Sequence, residues 1–168
     1  RGTVFLMDVD NSIGNRTISF SPAQIIRHRE NIGTIRSNGL EFEVRSEMSD
    51  STQAIVRYQF TSSHIRKSSV STLEGLRTPQ VPAHLASFEV DRKWTKAFST
   101  NFQGRYSSDQ FEDDLNRFLL ESYFTADLSA IYQLNLNWGV FGTCENIFNK
   151  RYELGLVPYP TLGAPRLF

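Results

Sequence analysis

Gly39-Leu40-Glu41-Phe42-Glu43-Val44-Arg45-Ser46-Glu47-Met48-Ser49 alternates apolar and polar residues almost without a break. Successive side chains of an extended chain point to opposite faces. Leu40, Phe42, Val44 and Met48 therefore share one face, and Glu41, Glu43, Arg45 and Glu47 share the other. The pattern recurs downstream. Ala54, Val56, Tyr58 and Phe60 oppose Gln53, Arg57, Gln59 and Thr61, with Ile55 intruding on the polar side. Ala86, Phe88 and Val90 oppose Ser87, Glu89 and Asp91, and Phe98, Thr100, Phe102 and Tyr106 oppose Ser99, Asn101, Gln103 and Arg105. Phe124, Ala126, Leu128, Ala130, Tyr132 and Leu134 make a further run, and Trp138, Val140, Gly142 and Cys144 make the last.

The connectors between these runs alternate in length. Asp50-Ser51 is short, residues 63–82 are long and polar, 92–96 are compact, 107–120 are long, Asn135 marks a tight turn, and 150–165 are long again. Pro79 and Pro82 cannot donate to a strand ladder and belong to a loop or a strand start. Short turns on one side and long loops on the other are the pattern of an outer-membrane barrel, whose strands show one face to lipid and one to a polar lumen. Tyr58, Phe60, Trp94, Tyr106, Tyr123 and Trp138 sit near strand ends, where interfacial aromatic girdles are expected. The fold expected is all-β: an antiparallel, up-and-down transmembrane β-barrel, present as an incomplete segment of about seven strands. In the first forty residues, 3–9 read as a strand and 11–29 as a loop with one extended stretch.

Composition supports this and excludes other classes. Eighteen basic residues balance eighteen acidic ones, so no nucleic-acid footprint is present. No run of about 18 apolar residues exists to form a spanning helix. A mean hydropathy of −0.36 suits a barrel, because half of each strand is polar. Cys144 is the single cysteine and cannot form an internal disulfide. The chain starts at Arg1 with no export signal after it, and Pro165-Arg166-Leu167-Phe168 reads as a strand just beginning. Both ends read as those of a fragment.

Three stretches resemble one family. Arg36-Ser37-Asn38-Gly39-Leu40-Glu41 is similar to the Arg-x-x-Gly-hydrophobic-Glu start of a strand in TonB-dependent outer-membrane receptors. Glu145-Asn146-Ile147-Phe148-Asn149-Lys150-Arg151-Tyr152 resembles the Glu-Asn-Leu-Phe-Asn-Lys-x-Tyr stretch near their C-terminus, and Gly163-Ala164-Pro165-Arg166 the Gly-x-Pro-Arg turn before their final strand. Pro82-Ala83-His84 and Asp127-Leu128 are similar to further strand starts of the family. The resemblance implies a barrel of about 22 strands plugged by an N-terminal domain. The chain supplies the C-terminal portion of that barrel over residues 1–168, without plug or final strand. It further implies Gram-negative outer-membrane location, contact with membrane lipid, and uptake of a ferric siderophore or cobalamin. The energy would come from the TonB complex, reached through the missing N-terminal part.

Candidate site residues follow from position. Gly39, Glu145, Asn146, Phe148, Asn149 and Tyr152 carry the family motifs. The asparagines can bond their own backbone and end a strand, and Phe148 and Tyr152 can seat it at the interface. Glu41, Glu43, Arg45 and Arg57 are expected to face the lumen, as a charge ladder worth roughly 0.2–1 kcal/mol per pair or as a docking face. Loop tips at 25–30, 64–76, 110–117 and 154–161 are the expected ligand contacts, represented by His28, Arg29, His64, Arg66, Lys67, Phe111, Asp113 and Tyr159. The acidic group Asp109, Glu112, Asp113 and Asp114 fits no calcium-loop template and reads as a solvated loop. No metal site, cofactor or catalytic constellation is discernible, so no enzymatic activity is expected. Two rivals remain: a small eight-stranded barrel serving as adhesin or anchor, and a soluble β-sandwich binding domain.

Overall fold

The computed structural model describes residues 1–21 and 24–168. In chain order the strands are β1 (Gly2–Ser21), β2 (Gln24–Ser49), β3 (Thr52–Lys67), β4 (His84–Lys93), β5 (Phe98–Ser107), β6 (Gln110–Phe111), β7 (Leu119–Leu120), β8 (Tyr123–Gln133), β9 (Gly139–Cys144), β10 (Glu153–Gly155) and β11 (Thr161–Leu162). A 3-10 turn, Ser71–Leu73, lies between β3 and β4. One seven-stranded sheet runs β1-β2-β3-β4-β5-β8-β9, each strand antiparallel to its neighbour. The two small ladders, β6 with β7 and β10 with β11, sit in the long loops.

Register turns the period-two pattern into continuous rows. Phe42, Tyr58, Ala86, Tyr106 and Phe124 pair in sequence across five strands. Val44, Val56, Phe88, Gly104 and Ala126 form the next row, and Ala54, Val90, Phe102, Leu128 and Cys144 a third. Much of these rows has no protein cover: Phe42 is 49% exposed, Val56 47% and Leu128 42%, although Ala126 is buried. A soluble sandwich would bury that face against a second sheet. Among the described residues no such sheet exists, which removes the sandwich rival.

Strand lengths locate the membrane. β4 and β5 have ten residues each and β8 eleven, matching the ~9–11 that a tilted strand needs to cross a bilayer. β1, β2 and β3, at 20, 26 and 16 residues, overshoot on the side of the long loops. The faces exchange character where the overshoot begins. Below it Val4, Leu6, Leu40 and Phe60 face outward. Above it the outward positions are Asp8, Arg36, His64 and Arg66, while inward-facing Ile35 and Ile65 pair with each other. Asp8 accepts hydrogen bonds from Arg36 Nε at 2.7 Å and Nη2 at 2.6 Å. Strand turns to water at that level.

Three expectations need correction. Residues 11–21 and 24–29 are not a loop: they are the upper parts of β1 and β2, paired from Ser12↔Gly33 to Ser21↔Gln24, while positions 22 and 23 of the expected loop lie outside the described residues. Register shifts between Val9 and Ser12, and between Thr17 and Ser19, break the alternation there. Asn11 adopts φ 56°, a left-handed conformation that asparagine tolerates. β2 thus runs as one strand from Gln24 to Ser49. Tyr123 is not part of the lipid girdle, since its register with Ser107 puts it on the inward face. Tyr152 stacks on it there, with ring centroids 4.2 Å apart, rather than at the interface.

Candidate functional site

The long connectors converge at one end of the sheet into a folded cap. Its apolar centre is Ile32, Ile65 and Leu73, the last two essentially inaccessible, with Ile35, Val70, Leu76 and Leu115 packed around them. The β3–β4 loop returns along β3: Ile65 N–H donates to Leu76 O at 3.0 Å and Thr78 N–H to Ser63 O at 3.0 Å. Its side chains thereby fold onto the inward face, where Ser63 Oγ lies 2.7 Å from Ser37 Oγ and 2.8 Å from Thr78 Oγ1.

The β5–β8 loop ties the other segments together. Asp114 accepts from Thr17 N–H at 2.9 Å and Thr17 Oγ1–H at 2.6 Å, reaching the β1–β2 hairpin across 97 residues of chain. Asn116 and Arg77 bond reciprocally: Asn116 Oδ1 accepts from Arg77 N–H at 2.8 Å and Asn116 Nδ2 donates to Arg77 O at 3.0 Å. Glu112 accepts from the Leu156 and Val157 N–H groups at 2.6 and 3.3 Å, engaging the last loop. Asp113 closes its own turn, its Oδ1 accepting from Arg117 and Phe118 N–H at 2.8 and 2.9 Å. Asp113 and Asp114 are 3% and 4% exposed, so these two acids are not solvated as expected from sequence. Buried carboxylates need donors, and the backbones of neighbouring loops supply them.

Below the cap, the inward face of β2–β8 bears a recess of about 580 Å³ whose lining includes Glu41, Glu43, Arg57, Gln59, Arg105 and Tyr123. Glu43 pairs with Arg57 at 2.7 Å across the β2–β3 ladder. Arg45 lies opposite Ile55, an apolar residue buried on this face, and Glu41 opposite Gln59. Arg105 of β5 meets Asp127 of the neighbouring β8. Glu41, Glu43, Arg45 and Arg57 thus share one face of the sheet, opposite the apolar rows.

The family motifs fasten the last loop to this wall. Asn146 is buried, and its Nδ2 donates to Lys150 O at 3.0 Å and Ala164 O at 2.9 Å, while Oδ1 accepts from Lys150 N–H at 2.9 Å. Its own N–H donates to Asp127 Oδ1 at 2.9 Å. Asn149 Oδ1 accepts from Arg166 N–H at 3.1 Å. Both asparagines adopt left-handed backbones, φ 48° and 49°. Phe148 stays outside beside Phe124, centroids 6.2 Å apart. Glu145 bonds Leu167 through the backbone in both directions. Gly39 is required for space: a Cβ there would collide with the Phe60 carbonyl and approach the Phe5 ring to 2.8 Å.

Of the eight loop residues picked from sequence, the cap brings some to its surface and draws others inward. His28 and Arg29 lie on upper β2, paired with Arg16 and Asn15 of β1. His28 Nδ1 contacts Glu30 Oε2 at 3.2 Å and Arg16 donates to Glu30 Oε1 at 2.9 Å. Arg16, then His28, hold the Glu30 carboxyl below the usual glutamate range. His64, Arg66 and Lys67 belong to β3 rather than a loop, and Arg66 approaches Asp8 at 3.5 Å. Phe111 lies in β6 under the Arg77 guanidinium, 5.3 Å from its ring centroid. Asp113 is internal, and Tyr159 projects freely at 79% exposure. Sequence reading missed Thr17, Arg77 and Asn116, which bond across 97 residues (Thr17 to Asp114) and 39 residues (Arg77 to Asn116) of chain. A signal for the turn existed in Asp113 and Asn116 three residues apart. None pointed to the distant partners.

Lipid-facing rows, short turns at one end and a loop cap at the other define the wall of an outer-membrane β-barrel. Residues 1–147 match the family model "TonB dependent receptor-like, beta-barrel", and the chain belongs to that family. It is 30% identical over 146 residues to the ferrioxamine B receptor of Salmonella typhimurium, covering 80% of this chain and 20% of that protein. Over 129 residues it is 27% identical to the ferrichrome outer membrane transporter/phage receptor of Escherichia coli K12, 71% of this chain and 17% of that one. Among solved structures, the siderophore receptor PiuA of Acinetobacter baumannii superposes with TM-score 0.81 at 21% identity, over 98% of this chain and 24% of that chain. The ferric yersiniabactin uptake receptor FyuA of Yersinia pestis gives TM-score 0.80 at 16% identity, over 98% and 25%. The chain thus spans about a fifth of its curated relatives. Its place is the Gram-negative outer membrane.

Proposed function

We propose that this chain forms wall and extracellular mouth of a receptor that takes up ferric siderophores, driven by the TonB complex through an N-terminal part of the same protein. The observation that carries the reading is the family match over residues 1–147, joined to a cap in which all the long connectors meet above a polar inner wall. The named relatives handle ferric complexes, which favours iron over cobalamin as cargo. The strands do no chemistry: they hold the loops, and the exposed cap residues, among them His28, Arg29 and Tyr159, supply first contacts. The inward charges Glu41, Glu43, Arg45 and Arg57 serve the wall and the seat of the plug.

The test is uptake of radioactive iron by a receptor-deficient outer-membrane host expressing the full-length protein, offered ferrichrome, ferrioxamine B, ferric citrate and a ferric tris-catecholate in turn. Uptake of at least one complex, lost when TonB is deleted, is expected. Absence of uptake with all four, or uptake indifferent to TonB, overturns the reading.

A further inference from the structure

The last long connector is fastened unevenly to the rest of the molecule. Its two legs are stapled together at the base. Lys150 N–H donates to Asn146 Oδ1 at 2.9 Å, Gly163 N–H to Tyr152 O at 2.9 Å and Arg166 N–H to Asn149 Oδ1 at 3.1 Å. Asn146 Nδ2 spans both legs by reaching Lys150 O and Ala164 O. Tyr152 seats this base on the sheet by stacking on Tyr123 of β8, and Asp127 secures it by accepting from Asn146 N–H. Gly163 lies so close to the Tyr152 ring that a Cβ there would run into it.

Beyond the base, residues 153–162 form an arm built on the β10–β11 ladder, whose pairing is interrupted by a register shift. Among the described residues, the arm's hydrogen bonds to other elements end on one carboxylate. Leu156 N–H donates to Glu112 Oε2 at 2.6 Å and Val157 N–H to Glu112 Oε1 at 3.3 Å. Glu112 stands on the β5–β8 loop, which is held without the arm: Glu112 N–H donates to Phe118 O at 2.9 Å, and Asp113 closes the turn beside it. Leu154, Tyr159 and Leu162 are exposed. Gly155 is buried where β10 lies against β7, and it brings no side chain to that contact. Apolar burial therefore does little to hold the arm, and the charge-assisted bonds to Glu112 do most. Segments with few buried contacts are those that open locally while the rest of a fold persists.

We infer that the last connector is a hinged gate: the arm 153–162 swings as a unit about the base stapled at Tyr152 and Gly163, and Glu112 is the catch that closes it. Opening parts the last connector from the β5–β8 loop beside Tyr123, a residue of the recess wall, and so makes a side entrance to the inward face. The hinge stays put because its bonds run to Asn146, Asn149 and Tyr123 and not to Glu112. The device is independent of the cargo, and it stands or falls apart from the uptake reading.

The experiment uses the full-length receptor in lipid, with Cys144→Ser and spin labels on cysteines at the exposed positions 121 and 159. Pulsed dipolar spectroscopy reads the distance between loop and arm, and amide exchange at Lys150, Gly163 and Arg166 reads the base. In Glu112→Ala a discrete, longer distance is expected to gain population about tenfold or more over the closed one, with the three base amides as protected as in the parent. Glu112→Gln keeps one acceptor oxygen and should shift the populations less; it carries the same test if Glu112→Ala does not assemble. Tyr123→Ala should instead speed exchange at the base amides, and Tyr123→Phe, which keeps the stacked ring, should not. An unchanged distance in both Glu112 variants overturns the catch. A continuous spread of distances, or base amides that accelerate together with release of the arm, overturns the hinge.

Discussion

Single residues carry unequal weight in this chain, and Asn146 carries much. Its side chain joins the beginning of the last loop to Lys150 and Ala164, and its backbone joins Asp127. Asn146→Ala strands two carbonyls and one N–H in a buried place, a loss of roughly 1–3 kcal/mol for each group left unsatisfied. Cleavage within residues 147–165 of the full-length protein should speed up by tenfold or more under limited proteolysis, with the barrel intact. Glu30 behaves differently because it is accessible and its contribution depends on pH. Its folded pKa is depressed by Arg16 and His28. The stabilisation it gives the upper hairpin is therefore complete above the ordinary glutamate value of about 4.3 and is lost as pH falls through the lower folded value. Amide exchange at Asn15 and Arg29, corrected for intrinsic rates, should accelerate on acidification across that window. In Glu30→Gln the acceleration should be absent.

At the scale of elements, the β5–β8 loop organises the mouth. Asp114→Ala leaves the Thr17 N–H and hydroxyl without their acceptor and should free the β1–β2 hairpin from the cap. The expected sign is faster exchange along upper β1 and at Phe118, with β4, β5 and β8 unchanged. Asp114→Asn, which keeps one acceptor oxygen, should restore part of the protection. The legibility of the chain divides along the same line. β4, β5, β8 and β9 are plain in the sequence because lipid on one side and a polar wall on the other impose strict alternation. Upper β1 and β2 are not, since water on the outside and the bulge at Asn11 remove that constraint, and so residues 11–29 read as loop. The cap was equally hidden. Asp114 read as a solvated acid because its donors on Thr17 become neighbours only after folding, and Asp113 because Arg117 and Phe118 N–H reach it only once the local turn has closed. The motif asparagines were legible in kind, as strand-ending residues, though not their grip on Ala164. That Glu41, Glu43, Arg45 and Arg57 share one sheet face was legible from parity alone.

For the whole molecule, the account places a membrane boundary across the sheet, with outward apolar residues below it and outward charges above. A charge on the apolar rows is costly: Val56→Lys should destabilise by about 2–4 kcal/mol if near the bilayer midplane, and should reduce the amount of assembled receptor in the outer membrane. Arg57→Lys, one residue along and facing inward, should assemble normally. The most direct measurement is spin-label accessibility in the full-length receptor reconstituted in lipid. Cys144 is first replaced by serine, and single cysteines are then placed in turn through residues 54–66 of β3. Oxygen, which concentrates in lipid, should collide most with labels at 54, 56, 58 and 60. A water-soluble nickel chelate should take over at outward positions 62, 64 and 66, while labels at inward Ile65 should meet neither, being under the cap. Accessibility without a period of two, or oxygen contact continuing unchanged through 62, 64 and 66, would contradict the barrel wall and the boundary drawn across it.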